Sequence, residues 1–186
     1  LSVHECDGWI RSQLYLATAM QSRGKFEEAM SIAVQLSELE VDSARLGSKG
    51  ASLLVWEAKT LPARLYVARG QEGDFTRAIS SLPGKNDPFL EEIKERTLSV
   101  FYLECLMQYL ECRQALEKGE SDIAQQKALA LSSIQERMER LKTQALKSAS
   151  ISEYVRALAG VKVYAAEARG LVALAQATSG SQRQIA

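Results

Sequence analysis

The clearest pattern in the chain is the recurrence of Leu98, Tyr102, Cys105, Tyr109, Cys112 and Leu116 at spacings of four, three, four, three and four. Such a repeat places one continuous apolar stripe on a helix, and the stripe has to be covered by something. Phe101 and Leu106 widen it beyond a narrow two-stranded seam, which favours packing within a globular core, with a homodimeric coiled coil as the alternative. The same periodicity elsewhere predicts an all-α chain of about seven helices. Helix one runs from the capping box Ser2-Val3-His4-Glu5 to about Arg23, and Gly24 ends it. A second runs from Lys25 to about Leu39 with Phe26, Ala29, Met30, Ile32, Ala33 and Leu36 inward. After a break at Val41-Asp42-Ser43 a third reaches Arg69, bent at Pro62 and closed by Gly70. A short helix follows from Asp74 to about Leu82.

Asp87-Pro88 is a start signal, a capping side chain followed by proline at the first helical position. The striped helix continues from there to about Lys118. Gly119-Glu120 breaks the chain before a helix from Ser121 to about Ser148, with Leu131, Ile134, Met138, Leu141 and Ala145 on its inner face. A second capping box, Ser150-Ile151-Ser152-Glu153, opens the last helix, which runs to about Thr178. Residues 1–178 thus read as one helical domain. Residues 179–186 lack periodicity and read as a mobile tail or domain edge.

Composition supports this reading and narrows the chemistry. Three Pro and 11 Gly in 186 residues leave few helix breakers. With 23 basic and 23 acidic residues the formal charge is zero, so the basic surplus that direct nucleic-acid or anionic-membrane binding requires is missing. No uninterrupted apolar run is long enough to span a membrane. The start at Leu1 rather than Met points to an excised fragment or a processed chain. Cys6, Cys105 and Cys112 cannot all pair with one another and have no zinc-site spacing, so a reducing, cytoplasmic setting is expected. Cys105 and Cys112 lie roughly 10 Å apart along a helix, too far for a disulfide. They read as small core residues.

Catalytic and cofactor signals are weak. His4 is the only histidine, and it stands beside Glu5 and Cys6 in positions that diverge on a helix and cannot converge on one metal ion. Gly47-Ser48-Lys49-Gly50 lacks the spacing of a phosphate loop. The acidic pairs Glu27-Glu28 and Glu91-Glu92 sit near helix starts, where they complement the helix dipole. No catalytic residue, cofactor or metal is expected, and the chain does not read as an enzyme.

Gly24, Gly70, Gly119 and Gly170 fall at intervals of 46, 49 and 51 residues, each expected to end a long apolar helix. Gly24-Lys25-Phe26-Glu27-Glu28-Ala29 and Gly73-Asp74-Phe75-Thr76-Arg77-Ala78 share one pattern of glycine, polar, aromatic, two polar, alanine. This hexad resembles the turn of the tetratricopeptide repeat (TPR) family. Ala17, Gly24, Phe26, Ala29, Ala33 and Leu36 match the first unit; Tyr66, Phe75 and Ala78 match the second; Gly119, Ala124, Ala128 and Leu131 the third, which lacks the turn aromatic. The intervals exceed the standard 34 residues. Over residues 9–178 the chain is therefore similar to the long-helix domains of maltose-regulator-type transcription activators and other regulatory solenoids.

The resemblance implies a right-handed α-α superhelix whose first helices line a concave groove. Its inward positions correspond to Arg11, Tyr15, Thr18 and Gln21 in unit one, Arg64 and Val67 in unit two, and Tyr109 and Arg113 in unit three. Tyr109 also belongs to the apolar stripe, and only one of the two assignments can hold. The implied function is a non-catalytic scaffold for protein–protein interaction, binding a peptide or partner domain. The alternative is a ligand- or effector-sensing domain of a transcription regulator.

Overall fold

The computed structural model describes residues 3–39, 51–84 and 97–185. Among these it is all-helical, with α1 (Val3–Ser22), α2 (Phe26–Ser37), α3 (Ala51–Lys59), α4 (Leu61–Arg69), α5 (Asp74–Ser80), α6 (Thr97–Glu117), α7 (Ser121–Arg140), α8 (Lys142–Ser148) and α9 (Ile151–Ile185). The Ser2 cap, the break at Val41-Asp42-Ser43, the Gly47–Gly50 segment and the Asp87-Pro88 start lie outside the described residues. None of the helices is long and apolar enough to cross a membrane.

Three of the four expected turn glycines terminate helices, for a shared reason. Gly24, Gly70 and Gly119 hold φ values of 76°, 63° and 73°, a left-handed geometry that side chains disfavour. At Gly24 and Gly119 the following amide reaches back to the helix: Lys25 N donates to Met20 O at 2.9 Å and Glu120 N to Ala115 O at 2.9 Å. Gly24 N and Gly119 N close the inner bonds to Gln21 O and Leu116 O, completing two Schellman motifs. Gly170 differs. It lies inside α9, where the helix continues through it to Ile185, so no fourth hairpin turn forms there and helix extends through residues 179–185.

Two expected helices each divide in two. Pro62 has no amide to donate, and the helix breaks at Thr60, leaving Pro62 in the first turn of α4. The Glu57 carbonyl near the break accepts from the Arg64 guanidinium at 2.8 Å, and Thr60 Oγ1 donates to Trp56 O at 2.8 Å. The other division is at Leu141, between α7 and α8. There the Met138 carbonyl receives the Tyr154 hydroxyl at 3.2 Å, so each break has a side chain serving a carbonyl beside it. The Ser150–Glu153 capping box forms as expected: Ser150 N donates to Glu153 Oε2 at 2.9 Å and Glu153 N to Ser150 Oγ at 3.3 Å.

Three pairs of neighbouring helices pack in chain order, α1 with α2, α4 with α5, and α6 with α7, with α9 laid against the last. Each second helix also packs on the next pair, α2 on α3 and α4, α5 on α6, and α7 on α9. The leading helices follow one another as well, α1 against α3, α3 against α6 and α6 against α9. Two apolar clusters result. One joins α1, α2, α3 and α4 through Ile10, Leu14, Ala17, Ala29, Ala33, Leu36, Leu54 and Leu65. The other spans α3 to α9 around Leu106, Tyr109, Leu110, Leu131, Ile134, Met138 and Val161.

The α6 stripe lies inside this second cluster, with Leu98, Tyr102, Cys105, Tyr109 and Cys112 buried and Leu116 half-buried against it. It is therefore covered within the chain rather than left as a dimer seam. Alanines at the crossings, Ala29, Ala33, Ala124, Ala157, Ala165 and Ala168, let the helices approach closely. Ion pairs between helices, Arg137–Glu104 at 2.8 Å and Lys162–Glu139 at 3.1 Å, tie the outer faces of α6, α7 and α9 together.

Candidate functional site

The leading helices α1, α3, α4, α6 and α9 carry most of the polar and aromatic groups expected to face a groove. On α1, Tyr15 is 71% exposed, and Arg11 and Thr18 are exposed as well. Thr18 turns its hydroxyl back onto Leu14 O at 2.8 Å, a bond that leaves it little to offer a partner. Gln21 is half-buried beside the Gly24 turn. Arg11 reaches across to the start of α9, where it lines an open cleft of about 250 Å³ with Ser150, Ser152, Glu153 and Arg156.

The candidates from units two and three lie deeper and are engaged by neighbours. Val67 is half-buried against the larger core. Tyr109 is 1% exposed, so the stripe assignment holds for its ring. Its hydroxyl donates to Glu167 Oε1 at 2.7 Å and accepts from Arg113 Nη1 at 2.8 Å, while Arg113 pairs with Glu167 at 2.7 Å. The Arg113 guanidinium also covers the Phe75 ring at 4.3 Å, and Tyr164 packs on Tyr109 with ring centres 4.5 Å apart. Burial and the bond to Glu167 both push the Tyr109 phenol upward, so it serves as a neutral hydrogen-bonding group.

Arg64 lies in a second knot. Its guanidinium sits 5.8 Å from the centre of the Trp56 ring, and Trp56 stacks on Tyr102 at 4.5 Å. Glu57 does not neutralise it directly, because its carboxylate pairs with Arg156 of α9 at 2.9 Å. Burial outweighs the nearby carboxylate and holds the Arg64 pKa below its ordinary value. Gly160 of α9 sits against the Tyr102 hydroxyl, where an added Cβ would stand 3.4 Å from the oxygen. Two buried donors in this knot, Trp56 Nε1 and Arg64 Nε, have no acceptor.

The structure thus brings Arg64, Tyr109 and Arg113 onto one polar and aromatic strip along α3, α4, α6 and α9, and sets Tyr15 and Thr18 apart from it on α1. Arg11 meets the strip through the cleft it shares with Arg156. The α9 members, Arg156, Gly160, Tyr164 and Glu167, are absent from the sequence-derived set. They recur at spacings of four, four and three, so they share a helix face. That spacing is legible within the expected last helix, but it does not say which elements the face packs against.

Cys105 and Cys112 are buried free thiols, raised by desolvation, Cys105 to about 12. The side chains of His4 and Cys6 lie outside those described. Among the described residues no group of three or more His, Cys, Asp or Glu is placed to hold a metal ion. No protein-family model matches the chain, and neither a curated protein nor a solved structure shows significant similarity to it.

Proposed function

We propose that the chain is a TPR-like right-handed superhelix acting as a non-catalytic interaction module, with a peptide or partner domain seated along its leading helices. The packing order carries this reading: leading helix on leading helix from α1 through α3 and α6 to α9, with each second helix bridging to the next pair. Stacking of this kind sets one side chain row beside the next on a common side. Exposed Arg11 supplies an anchor there and exposed Tyr15, one turn along α1 and outside the strip, extends the surface, since arginine and tyrosine contribute disproportionately to binding energy. The half-exposed Arg156–Glu57 and Arg113–Glu167 pairs supply polar complementarity.

A displayed random-peptide library selected on the protein tests this. Peptides enriched on the wild type should lose binding to an Arg11→Glu, Tyr15→Ala variant and keep it with Leu129→Ala, an exposed change on α7. Equal binding to all three proteins would remove the groove from the account. A second reading, a ligand-sensing domain of a transcription regulator, is favoured by one observation, the two unpartnered buried donors of Trp56 and Arg64.

A further inference from the structure

The knot where α3, α4, α6 and α9 meet leaves two buried hydrogen-bond donors without an acceptor. Trp56 is 3% exposed and its indole N–H has no acceptor; Arg64 Nε–H is likewise buried and unpartnered. Native interiors leave few such donors, because a buried N–H stripped of water without a replacement is costly. The imbalance extends to charge. The carboxylate of Glu57 pairs with Arg156, and among the described residues the Arg64 guanidinium donates to the uncharged Glu57 carbonyl. A buried guanidinium that must share its nearby carboxylate with a second arginine is left under-compensated.

We propose that this knot is a binding site for a small oxyanion, a carboxylate or phosphoryl group, whose oxygens accept from Arg64 Nε–H and Trp56 Nε1–H. An oxyanion matches both deficits: it supplies several acceptor lone pairs and the missing negative charge. A neutral acceptor would serve the indole and leave the charge unbalanced. Gly160 keeps the wall beside the Tyr102 hydroxyl free of a side chain, so the phenol stands at the edge of the site as a further donor. The cleft lined by Arg11 and Arg156 opens on the surface next to this knot, and Arg156 belongs to both. Entry is by displacement of Arg156 from Glu57, since both orphan nitrogens are shielded from solvent. This site shares the Arg156–Glu57 pair with the proposed groove, but anion binding is read from Trp56 with no peptide present, so the library selection above can fail while it stands, and the reverse.

Trp56 is a built-in reporter, because the chain has only one other tryptophan, Trp9. A Trp9→Phe protein is titrated with sodium phosphate and, separately, with sodium acetate, at ionic strength held constant with chloride. Binding appears as a saturable change in Trp56 emission with a parallel rise in melting temperature. Saturation with phosphate alone assigns the site to phosphoryl groups, with acetate alone to carboxylates, and with both to oxyanions in general. Arg64→Met in the same background should weaken binding about tenfold or more. Glu57→Gln should strengthen it by removing the carboxylate that competes for the cations, an effect of opposite sign that loss of folding cannot imitate. The proposal is overturned if neither anion gives a saturable signal up to millimolar concentrations with circular dichroism intact, or if a folded Arg64→Met variant saturates as its parent does.

Discussion

Asp74 is fully buried at the start of α5, and its carboxylate gathers Arg69 at 2.6 and 2.9 Å, Arg77 at 3.1 Å and the Gln71 amide at 2.9 Å. Arg69 in turn lies 3.8 Å above the Phe26 ring, which links this knot to the start of α2. The bonds from Arg69, with help from the Gln71 amide, hold the Asp74 carboxyl below its ordinary value. A carboxyl depressed in the folded state stabilises it above the unfolded value of about 3.9, and that contribution is lost as pH falls through the lower folded value. Acid unfolding followed by circular dichroism should therefore show a shallower loss of stability below about pH 5 in Asp74→Asn than in wild type. At neutral pH Asp74→Ala should cost about 3 kcal/mol, because Arg69 loses its buried partner and is left with the exposed Glu27 at 3.9 Å. The buried thiols give a second expectation at this scale. In a Cys6→Ser background Cys105 and Cys112 should resist a thiol-reactive dye under native conditions and react only on unfolding, since desolvation keeps them protonated at neutral pH. Rapid native labelling would mean that α6 opens locally.

Among the elements, crossings depend on small residues. Ala29 on α2 and Ala124 on α7 are both fully buried, and a leucine at either has to displace packed neighbours. Ala29→Leu and Ala124→Leu should each destabilise by about 1–3 kcal/mol in urea unfolding, whereas Ala159→Leu on the exposed side of α9 should change stability by under about 0.5 kcal/mol. The helix ends were largely legible because they are local. Gly24, Gly70 and Gly119 act through a backbone angle, and Ser150 with Glu153 through bonds three residues apart. The breaks at Thr60 and Leu141 were not, although Pro62 announced a bend. A kink becomes a break when a distant or differently placed group serves a freed carbonyl, as Tyr154 does for Met138 from another helix.

For the whole molecule, α3 and α4 are shared between the two apolar clusters and couple them. Of the described residues, those in the cluster under α1 and α2 are the fewer and include four alanines. In stacked hairpins stability is carried by nearest neighbours, and among the described residues α1 and α2 pack chiefly on α3 and α4. Native-state hydrogen exchange should accordingly show α1 and α2 opening at lower free energy than α6 and α7, with α6 protected to the global limit. Uniform protection from α1 to α9 would instead make the two clusters one cooperative unit.

Helical class, the glycine turns, the second capping box and the apolar stripe of α6 follow from the sequence alone, because each depends on backbone preference or on periodicity within a few turns. The candidate site was legible in part. Arg64, Tyr109 and Arg113 were found, but their role as parts of bonded knots was not, since the partners Glu167, Tyr164, Trp56 and Arg156 stand on other helices. The last helix shows why most plainly. Apolar residues fall on two sides of α9, Tyr154, Val161 and Val172 on one and Ile151, Val155, Val163 and Leu174 on the other. Periodicity treats both sides alike; only the packing of α6 and α7 against one of them decides which is core, and that decision places Arg156 beside Glu57, Gly160 beside Tyr102 and Glu167 beside Arg113.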